Sequence, residues 1–209
     1  MKANVYVDGF NFYYGAVKDT AYRWLDLGKL SRFLLSGDGH SVHRIRYFTA
    51  LIQPRDDPDQ PQRQQTYLRA LGTIPDLTIH YGTFLTSYPR MALHPVPSSP
   101  PKTVQVVKTE EKGSDVNLAT HLLLDAFDGD YEIAIVISND SDLVEPIRAV
   151  RQRFGLPVGI YHGPKHYPGS EMGQVGTFQR RIREKILRVC QFPTALQDAT
   201  GTIGKPMAW

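Results

Sequence analysis

The chain has 209 residues, 41% of them hydrophobic, a single cysteine and a formal net charge of +3. That length and apolar content suit one packed domain and argue against disorder. No apolar run approaches the ~18 residues of a membrane helix, and the short N-terminal apolar segment meets an acid at Asp8, unlike a signal peptide; the lone Cys190 excludes an internal disulfide or a cysteine-based zinc site, so a reducing cytoplasm is the expected compartment.

In chain order, Ala3 to Val7 is a β-rich run that closes at Asp8. A helix starts at Phe10 and reaches Val17. A second spans Asp26 to Leu35, with Leu27, Leu30, Leu34 and Leu35 on one face. Val42 to Ile52 alternates as a strand, Pro58 to Leu71 reads as a polar helix, and Leu77 to Phe84 as a third strand. Segment 86–102 holds five of the 15 prolines and reads as a loop or extended arm inserted in the domain, because proline runs cannot form a helix interior. Val104 to Val107 is a candidate edge strand. Ser114 to Phe127 is predicted helical, with Val116, Ala119, Leu122, Leu123 and Ala126 inward. Ile133 to Ile137 is wholly apolar, as expected of a strand buried on both faces. Asp140 to Phe154 is the next helix and Leu156 to Tyr161 the last strand. Val175 to Val189 reads as one basic amphipathic helix, followed by an irregular tail to Trp209. Strands alternating with helices predict an α/β fold with a parallel sheet and right-handed crossovers.

Charge is unevenly spread. Residues 1–142 carry 14 Lys/Arg against 17 Asp/Glu, whereas residues 143–188 carry 9 against 3. An acidic centre beside a basic flank suits a phosphate-bearing polymer.

Three acidic signals lie at the ends of regular elements. Asp8-Gly-Phe-Asn11 follows the first strand, Glu111-Lys112-Gly-Ser-Asp115 opens a helix, and Ser138-Asn-Asp140-Ser-Asp142 follows the apolar strand. In an open parallel sheet, ligands bind beyond the carboxyl ends of the strands, which puts Asp8 and Asp140 at one edge and lets Asp115 reach it. Each acid alone has an ordinary reading: a turn at Asp8, an N-cap at Asp140, a first-turn acid at Asp115. Together they would repel unless they shared protons or bound a cation, and Mg2+ suits carboxylate and water ligands. There is no HExxH, GxGxxG after the first strand, or Walker A motif, so neither a helix-borne zinc nor a nucleotide cofactor is expected. Phe10 stands two residues after Asp8, where an aspartyl-phosphate phosphatase of the haloacid-dehalogenase type would carry a second aspartate.

On these three motifs the sequence resembles NYN domains, a PIN-like nuclease group that includes the LabA-like proteins, over about residues 3–190. The resemblance implies a PIN-like Rossmannoid three-layer sandwich with a central, mainly parallel sheet. It also implies Mg2+- or Mn2+-dependent cleavage of RNA leaving a 5′-phosphate and a 3′-hydroxyl. It makes Asp8, Asp115 and Asp140 the metal ligands, Asp142 an additional acid, and Asn11 and Ser138 residues that orient the first aspartate or the metal's waters. Residues 1–190 form the expected domain and 191–209 an extension. Glu111 and Lys112 adjoin the second motif. Arg148, Arg151 and Arg153 on one predicted helix, and Arg180, Arg181, Arg183 and Lys185 on another, are candidates to hold the strand, with Phe10, Tyr13 and Tyr14 to stack on bases. His162 to His166 is a candidate pocket rim. An RNA-binding or regulatory module of the same fold with little turnover is the alternative, and the arm and tail leave a homo-oligomer open.

Overall fold

The structure is a computed structural model that describes residues 1–54, 57–94, 100, 102–165 and 170–209. The chain begins with β1 (Lys2–Asp8), then α1 (Gly9–Phe12) running into a π-helical turn (Tyr13–Val17), α2 (Leu27–Ser36), β2 (Ser41–Thr49), α3 (Gln60–Leu71) and β3 (Leu77–Tyr81). Four short strands follow: β4 (Thr83–Ser87), β5 (Arg90–Ala92), β6 (Thr103–Gln105) and β7 (Lys108–Lys112). Next come α4 (Ser114–Phe127), β8 (Ile133–Ile137), a 3-10 turn (Ser141–Leu143), α5 (Val144–Ala149) with a π turn (Val150–Phe154), and β9 (Val158–His162). The chain closes with α6 (Ser170–Val175), β10 (Phe178–Arg181), α7 (Glu184–Val189), β11 (Ala195–Asp198) and β12 (Gly201–Gly204).

The central sheet has six strands in the order β10-β9-β8-β1-β2-β3, and every pairing in it is parallel. Strand order reverses at β1, between β8 and β2. That switch opens a crevice beyond the carboxyl ends of β1 and β8, because the chain leaves the two strands towards opposite faces.

Two apolar layers cover the sheet. On one face Val5, Val7 and Ile135 pack against Leu27, Leu30 and Leu35 of α2 and Leu71 of α3. On the other, Tyr6, Val136 and Ile160 pack against Leu118 and Leu122 of α4 and Ile147 of α5. The alternation along β1 decides which face each residue meets, since successive strand side chains point to opposite sides. Asn4, Tyr6 and Asp8 therefore share the α4 face. Beneath α4 the Tyr6 hydroxyl donates to Asp125 (2.6 Å), and Arg46 of β2 donates to both Asp125 oxygens (2.7 Å each). Asn4 donates to Asp130 (2.9 Å), so these buried polar groups are largely paired across the sheet.

The structure changes four sequence expectations. Residues 77–84 are two strands, because the chain leaves the sheet after Tyr81 and starts an antiparallel ribbon. In that ribbon β4 pairs with β7 and β5 with β6. The described residues of the proline-rich segment therefore lie in an extended arm, and residues 95–99 and 101 fall outside the described ones. The stretch around Val104 to Val107 pairs within this arm instead of at an edge of the main sheet.

The predicted helix Val175–Val189 is instead the end of α6, strand β10 and α7. Here β9 presents an edge of unpaired backbone groups, and the chain satisfies it: Thr177 N donates to Val158 O (2.7 Å) and β10 runs parallel to β9. The tail is ordered as the antiparallel hairpin β11–β12. Asp198 accepts from Thr200 in its turn, and Arg69 of α3 grips Asp198 with two hydrogen bonds (2.6 and 2.7 Å). Among the described residues no helix is long and apolar enough to cross a membrane.

Candidate metal centre at the carboxyl edge of the sheet

Asp8 ends β1 as the N-cap of α1, where its Oδ1 accepts from Asn11 N at 3.1 Å. Gly9 is required next, because a Cβ there would lie 2.5 Å from Phe48 O and 2.8 Å from the Tyr47 ring. The other oxygen, Oδ2, accepts from Ser138 Oγ at 2.8 Å. Ser138 in turn accepts from Asp140 N (3.0 Å), and Asp140 Oδ1 caps the following 3-10 turn through Asp142 N (2.9 Å). Asn11 closes the arrangement, its side-chain oxygen accepting from Asn139 N at 3.0 Å. The first and third motifs are thus tied directly across the switch between β1 and β8.

The second motif arrives from the arm. Gly113, at φ 96°, turns the chain from β7 into α4 in a left-handed conformation that suits glycine. Glu111 then accepts from Ser114 N (3.0 Å) and Ser114 Oγ (2.6 Å), which anchors the start of α4. This places Asp115 in the first turn, facing the other two acids. One carboxylate oxygen from each of Asp8, Asp115 and Asp140 lies within 4.8 Å of the others.

The electrostatics express the cost of this arrangement. Asp8 is buried, and its pKa is pushed up to about 7, by desolvation first and then by the charges of Asp115 and Asp140, against the lowering hydrogen bonds from Asn11 and Ser138. Burial also raises Asp115, with Asp140, Glu111 and Asp142 adding to the shift. Each pair of unit charges at such separations costs roughly 3–4 kcal/mol at an effective dielectric of ~20. A bound cation would offset that repulsion. Three carboxylates held by their own hydrogen-bond partners form a donor set for a hard, oxygen-liganded ion, so the residues present fit a divalent metal.

Of the remaining predicted site residues, Asp142 is exposed and lies outside the converging trio, though its charge reaches Asp115. Ser138 touches Asp8 directly, whereas the Asn11 side-chain oxygen positions the 139 backbone. Lys112 is exposed at the base of the arm, with Nζ 3.7 Å from Glu110.

The candidate strand-holding residues, expected on two helices, have local partners where the structure gives them one. Arg148 pairs with Glu145, and Arg151 donates to Val175 O (2.7 Å). On β10, neighbouring side chains part to opposite faces: Arg180 pairs with Asp38 and Arg181 donates to Pro164 O. Arg153, Arg183 and Lys185 are exposed. His162 is buried rather than on a rim, and His166 lies outside the described residues.

Sequence reasoning missed the role of Glu111 as the anchor of α4. It also missed a cavity of about 350 Å3 that adjoins the Asp8 loop and is lined by Phe10, Tyr13, Tyr47, Tyr67 and Trp209 among others. The available signal was the density of aromatics after Asp8; Trp209, almost 200 residues away, gave none.

A doubly wound parallel sheet with three acids converging at its switch point defines an α/β protein with an edge able to hold a metal ion. The NYN domain model matches residues 2–171, and the chain belongs to this nuclease-type family. It is 29% identical, over an alignment covering all of this chain and 75% of the relative, to a Pseudomonas putida protein named 6-hydroxy-3-succinoylpyridine 3-monooxygenase HspA. Among solved structures it resembles a Vibrio parahaemolyticus protein of unknown function, with a TM-score of 0.53 and 18% identity, covering 88% of this chain and 93% of the other. That likeness is one of fold.

Proposed function

We propose that the protein is a metal-dependent ribonuclease that cuts RNA internally, with Mg2+ or Mn2+ held by Asp8, Asp115 and Asp140. The convergence of these three carboxylates from distant stretches of chain carries the reading. When bound, such an ion supplies an activated water and charge to stabilise the leaving oxygen. The chain's own part is positioning. Ser138 and the Asn11 backbone fix both oxygens of Asp8, Asn11 locks the loop that carries Asp140, and Glu111 fixes the helix start that carries Asp115. Asp142 adds negative charge at the exposed margin, and Lys112 a positive charge for the strand. The test is cleavage of labelled single-stranded RNA in Mg2+ by the native chain and by Asp140→Asn. Cleavage that persists in the variant or in excess chelator would exclude this site. An RNA mobility shift without product would favour the binding-module reading.

A second reading draws on the relative named as a monooxygenase, which matches along the whole of this chain, and on the aromatic cavity beside the acids. Under it the cavity takes a small hydroxylated pyridine acid; one atom of O2 enters the ring as a hydroxyl, and the other leaves as water with two electrons and two protons, supplied as hydride and proton by an added nicotinamide-type reductant. Reductant-dependent oxygen uptake with such a pyridine acid, and none with RNA, would support it over hydrolysis.

A further inference from the structure

We infer that the aromatic cavity beside Asp8 seats a nucleobase of the substrate strand, an inference that rests on the ribonuclease reading and deepens it. The cavity has a volume of about 350 Å3, within the range of small-molecule sites. It begins where the acidic site begins: Gly9 and Phe10, the two residues after Asp8, are part of its lining. Tyr47, another lining residue, packs against the same turn: a Cβ on Gly9 would lie 2.8 Å from its ring. A strand whose phosphate rests on the carboxylate edge would therefore find the cavity open to a neighbouring base.

The chemistry of the lining selects a flat, uncharged ring. Tyr13, Tyr67 and Trp209 are only partly buried, and aromatic faces accept any base by stacking. Among the described residues the charged lining groups are two arginines and two aspartates, Arg23, Arg63, Asp19 and Asp57. Arg63 is paired with Asp57, and Arg23 donates to the carbonyls of Thr20 and Ala208. An ionised ring acid would have to break into these contacts, whereas a base would not. The Gln60 amide on the lining offers both a donor and an acceptor to a base edge.

One wall comes from beyond the family match, which ends at residue 171. Trp209 packs on Tyr67 (5.8 Å between ring centroids) and Trp24 (6.3 Å), with the Arg23 guanidinium 5.8 Å from its ring. The β11–β12 hairpin leading to it is fastened to α3 by Arg69 and Asp198. The C-terminal segment thus builds the cavity's side and contributes to substrate choice.

The test uses the full chain in chelator, where no cleavage competes. The protein has two tryptophans; Trp24 is fully buried, so Trp209 reports on the cavity. Adenosine, which offers the base without a phosphate for the metal-free carboxylates to repel, should quench the emission saturably, nicotinate should not, and Trp209→Phe should abolish the response. Tyr13→Ala should weaken adenosine binding by roughly 5- to 150-fold, the value of one stacking contact. Gln60→Ala, on an exposed helix position, should weaken it as well while leaving the fold untouched. No saturable quench by adenosine, tighter binding of nicotinate, or adenosine binding indifferent to both variants overturns the inference. Asp8→Asn separates the two readings, because it should lose RNA cleavage while keeping the quench; cleavage retained in Asp8→Asn refutes the metal site and leaves the cavity result to stand or fall by itself.

Discussion

Replacing Asp8 with asparagine should make the metal-free protein more stable at alkaline pH while removing its activity. Asp8 is buried, and its pKa in the folded protein, about 7, lies above the ordinary carboxylate value of 3.8. Between those values the native state holds a proton that the unfolded chain has released, so stability falls as pH rises through this window. That difference corresponds to roughly 4 kcal/mol, at ~1.4 kcal/mol for each tenfold change in proton affinity. Asparagine cannot ionise and escapes this cost. It keeps an oxygen for Asn11 N but turns an amide towards the Ser138 hydroxyl, at a loss of about 1 kcal/mol. The net expectation is about 3 kcal/mol of added stability at pH 8.5 and none, or a slight loss, at pH 4. Urea unfolding in chelator at both pH values measures it. Parallel stability–pH curves for the two proteins would refute the argument, because they would mean Asp8 pays no desolvation on folding. Adding Mg2+ should then stabilise the native protein by about 2.7 kcal/mol at a hundred times its dissociation constant, and Asp8→Asn far less.

Ser138→Ala removes the donor to Asp8 and the acceptor for Asp140 N; metal affinity should fall about 10- to 100-fold, and the acid limb of the activity profile should move to higher pH, as a metal titration and a pH–rate series would show. Glu111→Ala strips the anchor from the start of α4 and should cost about 1 kcal/mol by urea denaturation together with weaker metal binding. Asp125→Ala leaves Arg46 without its carboxylate beneath α4 and should destabilise by about 3–5 kcal/mol, with metal affinity per folded molecule unchanged by calorimetry. Arg148→Ala should leave RNA cleavage unchanged in a kinetic assay, since that guanidinium faces Glu145.

The alternation of strand and helix and the three acidic motifs could be read from the residues alone. Apolar periodicity is local: the unbroken apolar run Ile133 to Ile137 reads as a doubly covered strand, and the leucines of residues 27–35 as one buried helical face. The position of Asp8 and Asp140 at strand ends followed from the same local pattern. The remaining features depend on partners far away in the chain. The stretch 178–181 is a strand because β9 offers an edge to pair with, and this separates Arg180 from Arg181 and disperses the expected basic face. The tail is ordered because Arg69 and Trp24 receive Asp198 and Trp209. The distance between Asp115 and Asp8 is set by the turn at Gly113 and by Glu111 bonding to Ser114. Hydrogen-bond closure and aromatic packing between remote segments depend on three-dimensional proximity, which the spacing of residues along one chain does not contain.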